Sequence, residues 1–333
     1  MIDVEQLSKL YGSTSAIEEV TFAVEPGEIL GFLGPNGAGK TTTMRILAGY
    51  LPATRGTARI AGYEVHENSM AVRKRIGYLP ETPPLYREMS VEGFLHFVAR
   101  IKGVSAGDRN QYVQSALEKC SLVDRRHSLI RKLSKGYRQR VGIAQAIVHD
   151  PPVIILDEPT VGLDPRQIIE VRNLIKNLAG NHTVILSTHI LPEVSMTCNR
   201  VAIINRGRIV VTDTPENLMI QLTGAMGYEL EVDGDRAIAQ QQLQELAGVR
   251  LVETIPAELP SDRYKLRIVA QQGMELSGRD IAAAIVGSGL GLYEMRRTQA
   301  SLEDVFLQLT TEEPGSEAET GIEDGESPTG EAA

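Results

Sequence analysis

Gly34-Pro35-Asn36-Gly37-Ala38-Gly39-Lys40-Thr41-Thr42 matches G-x-x-x-x-G-K-[ST] at every fixed position. This is the pattern of a phosphate-binding loop. Its glycines let successive backbone N–H groups turn inward and form a nest for an anion. The backbone from Gly34 to Gly39, with Thr42 behind it, is the expected cradle. Lys40 adds a point charge for the β- and γ-phosphates, and the Thr41 hydroxyl is placed to ligate Mg²⁺. The flanks agree with this reading. Glu28–Leu33 is an apolar run that predicts a buried strand, and Thr42–Ala48 predicts a helix. A strand, a glycine loop and a helix N-terminus in that order put the helix dipole behind the phosphates.

A second site follows from Val153-Ile-Ile-Leu-Asp157-Glu158. Aliphatic residues without alternation predict a parallel strand buried on both faces. The two acids then stand at its C-terminal end, where open α/β sheets bind ligands. Neighbours on a strand point to opposite sides, so Asp157 is expected to face a Mg²⁺ ion and Glu158 an attacking water. A carboxylate there is a reasonable general base for water in line with a γ-phosphate.

The 333 residues are enough for two domains, and 42% apolar with 23% charged residues is ordinary for a soluble protein. No apolar run approaches the roughly 20 residues that span a bilayer, and Met1–Gln6 does not read as a signal peptide. A cytosolic chain is expected. Cys120 and Cys198 have no metal-ligand spacing and are read as small packing residues. The net charge of −9 is unevenly spread. Residues 312–331 hold eight acids and no Lys or Arg, which leaves 35 acids against 34 bases elsewhere. That tail, 311–333, is predicted to be disordered and solubilising. No basic stripe suggests a nucleic-acid partner.

Further segments occur in a telling order. Tyr11 lies in Leu10-Tyr-Gly-Ser; Glu81 ends Ile76-Gly-Tyr-Leu-Pro-Glu; Leu133-Ser134-Lys135-Gly136-Tyr137-Arg138-Gln139-Arg140 precedes a helix predicted over Val141–Ile147. Val161-Gly-Leu-Asp164 and Leu186-Ser-Thr-His189 follow. Over residues 1–220 the chain resembles the nucleotide-binding subunits of ABC transporters. The resemblance implies an α/β phosphate-loop cassette with a helical subdomain at about 82–150, working as a dimeric ATPase on ATP and Mg²⁺. Tyr11 would stack on adenine. Ser134 and Gly136, in the signature segment, would contact the γ-phosphate held by a partner cassette. His189 would touch the γ-phosphate in its own subunit, and hydrolysis would open the dimer. The signature departs from the common L-S-G-G-Q at Lys135 and Tyr137. Glu81 stands where glutamine is usual, and is expected still to ligate Mg²⁺, alongside Thr41 and Asp157.

The branch follows from what surrounds these motifs. About fifty residues separate Glu81 from the signature, including helices predicted at Val91–Arg100 and Tyr112–Lys119. That is too short for the coiled-coil insertion of DNA-repair ABC ATPases, and suits docking to a membrane permease through Thr82–Glu92. Residues 228–310 are read as a small accessory domain of strand, helix, strand, strand, helix, strand and a final helix, Leu302–Leu309. This is the order of a ferredoxin-like α+β domain. Gln299–Leu307 resembles the ending of ABC-2 type exporter ATPases, with the gliding-motility-type branch most similar. The implied protein is an ATPase subunit held peripherally at the cytoplasmic face of the membrane by an integral permease. A soluble ABC ATPase acting as an assembly or regulatory switch is the alternative.

Overall fold

The computed structural model describes residues 1–222 and 227–298, apart from residues 257–259, 261, 272–273 and 275. Its centre is a six-stranded sheet. In spatial order the strands are β10 (Arg208–Asp213), β9 (Arg200–Asn205), β3 (Ile29–Leu33), β8 (Thr183–Thr188), β7 (Val153–Asp157) and β6 (Ile76–Leu79). All run parallel except β10. Every residue of β3, β7 and β8 is buried, as expected of strands covered on both faces.

Alternation along these strands divides the interior in two. Ile29 and Leu33 of β3, Ile154 and Leu156 of β7, and Val184 and Leu186 of β8 face one side. There they pack with helices α3 (Val91–Ile101), α4 (Arg109–Lys119), α5 (Lys135–Ile147), α6 (Pro165–Leu178) and α7 (Leu191–Thr197). Leu30, Phe32, Val153, Ile155 and Ile185 face the other. That core is closed by α1 (Lys40–Leu47), α2 (Ser69–Arg75) and an antiparallel sheet ordered β2 (Thr14–Val24), β1 (Ile2–Tyr11), β4 (Arg55–Ile60), β5 (Tyr63–Glu64). α8 (Pro215–Leu222) follows the central sheet.

Beyond it come β11 (Gly227–Asp233), α9 (Arg236–Gln244), β12 (Val249–Ile255), β13 (Arg263–Ala270), α10 (Gly278–Gly287) and β14 (Leu292–Thr298). Their antiparallel sheet has the order β12-β13-β11-β14. One face buries Leu230, Val232, Leu266 and Ile268 against Leu243, Ile281 and Ile285. The other carries a row of ion pairs across all four strands, Glu253–Arg267–Glu229–Arg296.

The elements follow the sequence reading, with differences at the starts of helices. The helix of the signature segment begins at Lys135, six residues before the expected Val141, so the signature is that helix's first turns. The phosphate-loop helix begins at Lys40, two residues before Thr42. α4 begins at Arg109, three residues before the expected Tyr112. The expected helix Leu302–Leu309 and the tail lie outside the described residues. Cys120 and Cys198 are free and buried, and burial pushes both thiols up, Cys120 to about 12.

Candidate functional site

The loop between β3 and α1 forms one wall of a cavity of about 340 Å³. Asn36, Gly37, Gly39, Lys40, Thr41 and Thr42 line it. Gly39 is the N-cap of α1 with φ +106, in the left-handed region that favours glycine. A Cβ there would lie 2.5 Å from Ile17 Cγ2 and 2.7 Å from the Ala16 carbonyl. Ala38 is buried behind the loop. Lys40 is buried too, and its Nζ donates to the carbonyls of Gly34 (2.7 Å) and Pro35 (3.2 Å). All nine loop positions are therefore in one place.

Glu158, Glu81 and Ala16 complete the cavity lining. Glu81 is exposed, two residues past the end of β6. β7 ends at Asp157, and Glu158 adopts φ +49, a left-handed backbone rarely taken by a non-glycine residue. The two carboxylates diverge because of this turn. The pleat alternation expected from the sequence does not extend to Glu158. Its N–H is held by the Ser187 carbonyl (3.0 Å) and hydroxyl (3.2 Å). Its carboxylate lies 3.3 Å from Lys40 Nζ and 3.0 Å from His189 Nδ1. His189 follows β8, the neighbour of β7, so adjacent strand ends deliver the pair.

Asp157 is fully buried. Its Oδ1 accepts from the Ser187 hydroxyl (2.5 Å) and lies 3.4 Å from the Thr41 hydroxyl, while Oδ2 has no hydrogen-bond partner. Burial is the main cause of a raised carboxyl pKa, opposed by the two hydroxyls and reinforced by the negative charges of Glu158 and Glu81. A buried, unmatched carboxylate oxygen is costly. Next to a threonine hydroxyl it suits a hard divalent cation, which favours the ionised form.

The remaining expected residues lie apart. Tyr11 ends β1, half-exposed, with Lys9 Nζ 5.4 Å from its ring centre, and is not in the cavity lining. Ser134 is exposed and caps α5, accepting from the Tyr137 N–H (3.4 Å). It opens on a different cavity, with Arg125, His127, Lys132 and Tyr137. Gly136 is buried in the first turn, where a Cβ would come 2.6 Å from the Gln167 amide of α6. Asp164 caps α6, accepting from the Gln167 N–H (2.9 Å). Sequence reading passed over Ser187, Thr188 and Glu193. The hydroxyl pair directly before His189 was the available signal.

A glycine loop, a buried lysine, a threonine–aspartate pair and a carboxylate–histidine pair from adjacent strand ends define a nucleoside-triphosphatase of the phosphate-loop α/β class. Comparison with known proteins narrows this. A family model described as ABC transporter matches residues 17–161. The uncharacterised ABC transporter ATP-binding protein YhcH of Bacillus subtilis (strain 168) is 31% identical over 318 residues, covering 94% of this chain and 96% of that protein. The Nod factor export ATP-binding protein I of Cupriavidus metallidurans is 31% identical over 319 residues, covering 94% and 98%. A solved ATP-binding subunit of an ABC transporter superposes with a TM-score of 0.61 at 33% identity, covering 67% of this chain and 93% of that one. The chain belongs to the ATP-binding subunits of ABC transporters. It binds and hydrolyses ATP to drive a transporter.

Proposed function

We propose that the chain is the motor of an ABC-2 type exporter. Residues 1–220 form the cassette, with its helical subdomain at about 82–150. Residues 228–310 form an accessory domain and 311–333 an acidic tail. The order β12-β13-β11-β14, with two helices on one face, supports a ferredoxin-like reading of the accessory domain. Export is supported by the name of the Nod factor export relative, which aligns along 94% of this chain. No helix among the described residues is long and apolar enough to cross a membrane. The path for cargo then lies in a separate integral permease, with this chain held at its cytoplasmic face. The cargo's identity belongs to that permease.

In this reading the loop backbone and Lys40 bind the triphosphate, and Tyr11 stacks on adenine. Thr41 and Asp157, with Glu81, hold Mg²⁺, which when bound neutralises charge on the phosphate oxygens. Among the described residues no cluster of three His, Cys, Asp or Glu could cage a metal. That suits Mg²⁺, which takes few protein ligands and fills its shell with water and phosphate. Glu158 takes the proton of the attacking water, and His189 orients the γ-phosphate. Ser134 and Gly136 serve the nucleotide of a second cassette. Their separation from the chain's own phosphate loop supports that role.

The observation that carries the reading is the Glu158–His189 pair, 3.0 Å apart and beside Lys40. Its test is Glu158→Gln in the full chain. The expected result is a turnover loss on the order of 10²–10⁴-fold, with an ATP-dependent dimer accumulating on size exclusion. Turnover equal to the parent would remove Glu158 from the role of base.

A further inference from the structure

Glu193 lies outside every motif, yet it is only 4% exposed. It sits in α7, just past the His189 loop. Its Oε2 accepts a hydrogen bond from the Thr188 hydroxyl at 2.9 Å. That hydroxyl in turn accepts from the Ile190 N–H at 3.0 Å. The two bonds clamp the loop on both sides of His189. The backbone of Thr188 also reaches the phosphate loop, since its carbonyl accepts from the Gly34 N–H at 3.4 Å.

The other carboxyl oxygen of Glu193 looks toward a different loop. Oε1 and the Thr160 hydroxyl are both buried with no hydrogen-bond partner. Burial raises the carboxyl's pKa, and the Thr160 and Thr188 hydroxyls oppose that rise. Thr160 lies between Glu158 and the Val161–Asp164 loop, and the Val161 N–H donates to the Glu158 carbonyl at 3.3 Å. One buried side chain thus stands between the segment that aims Glu158 and the segment that aims His189. A carboxylate kept at this depth has a desolvation cost that packing alone does not require. A leucine would fill the volume.

We infer that Glu193 is a positioning residue for ATP hydrolysis: a strut that fixes the His189 loop, through Thr188, relative to the Glu158–Asp164 loop, through Thr160. It touches neither nucleotide nor water. Its effect is on the orientation of the Glu158–His189 pair, so the inference rests on the assignment of that pair as the hydrolytic machinery.

The test compares Glu193→Ala, Glu193→Gln and Thr160→Val in the full chain, with Glu158→Gln as a control. Steady-state MgATP hydrolysis is measured for each. A strut that aligns catalytic groups affects the chemical step, so Glu193→Ala is expected to lower kcat at least tenfold with KM for ATP within twofold of the parent. Gln keeps an acceptor for Thr188 and offers a donor to the Thr160 hydroxyl, so Glu193→Gln is expected within threefold of the parent. Thr160→Val, which retains volume and is isolated should the alanine variant fail to fold, is expected to lower kcat three- to tenfold at unchanged KM. Glu193→Ala within threefold of the parent would overturn the inference. So would Glu193→Gln falling as low as alanine, KM rising in step with the loss of kcat, or Thr160→Val matching the parent. The control separates the two levels of argument. If Glu158→Gln keeps full turnover, the assignment of the pair fails. If it is inactive while Glu193→Ala is not, only the strut fails.

Discussion

Gly31 sits in the middle of β3, and its reason is α7. A Cβ at this position would come 2.0 Å from Val194 Cγ1 and 2.9 Å from Cys198 Sγ. Gly31→Ala is expected to lower the unfolding free energy by about 1–3 kcal/mol through overpacking, with an unchanged m-value in urea titrations. A parent-like midpoint would mean that α7 yields without cost. The loss would also shift the helix that carries Glu193. At this scale the sequence was informative where a residue type has one use. Lys40 and Thr41 follow a glycine loop, and Asp157 ends an all-aliphatic strand. Those positions were legible because spacing and chemistry agree. Glu158 was legible as a residue but not as a geometry. Its φ of +49 goes with two bonds that its N–H donates to Ser187, a partner 29 residues away. Glu193 was illegible because a glutamate two residues into a short helix reads as a solvated first-turn acid.

Among the elements, α5 best shows where local signals mislead. Gly136 argues against helix in sequence, yet it lies in the first turn. There the N–H groups lack intrahelical partners anyway, and Ser134 supplies the cap. The side-chain amide of Gln167 from α6 occupies the place a Cβ would take, and that contact is not visible in a linear reading. The far ends of α3 and α5 converge on the Ile76 carbonyl at the start of β6. Lys102, which caps α3, donates to the carbonyls of Arg73 (2.8 Å) and Ile76 (3.0 Å). His149, just past α5, pairs with the same Ile76 carbonyl at 3.0 Å. Burial and the nearby Lys102 ammonium lower the His149 pKa to about 4, and burial lowers that of Lys102 to about 8. For His149 the folded state resists a proton that the unfolded chain accepts below about 6.5. Stability is therefore present above pH 6.5 and is lost as pH falls toward 4. His149→Gln is expected to make the loss between pH 6.5 and 4.5 smaller by roughly 2–3 kcal/mol, read as the difference between variant and parent in urea titrations. Parallel pH profiles would show that His149 protonates without resistance.

For the molecule as a whole, charge and topology divide the labour. The acids that make the net charge −9 are concentrated in residues 312–331, so the remainder is close to neutral. The doubly covered sheet places the Gly34–Lys40 loop, Glu81, Glu158 and His189 just past the C-terminal ends of its parallel strands β3, β6, β7 and β8. Helices α3 to α5 pack on one face of that sheet, in a core they share with α6 and α7. Beside them stands Tyr86, 55% exposed and 5.2 Å from the Phe97 ring, within the Thr82–Glu92 segment proposed to meet the permease. The succession of strands and helices from β11 to β14 was legible from alternation and turn residues, whereas the spatial order β12-β13-β11-β14 was not, because β11 pairs with strands far along the chain. The most direct test of the exporter assignment is co-purification. The tagged full chain is captured from detergent-solubilised native membranes, and the proteins that accompany it are identified. The expected result is a polytopic membrane chain at near-stoichiometric yield, released when charged residues replace Tyr86 and Phe97. Recovery from the soluble fraction alone, with no membrane partner and with ATP hydrolysis intact, would contradict the exporter assignment.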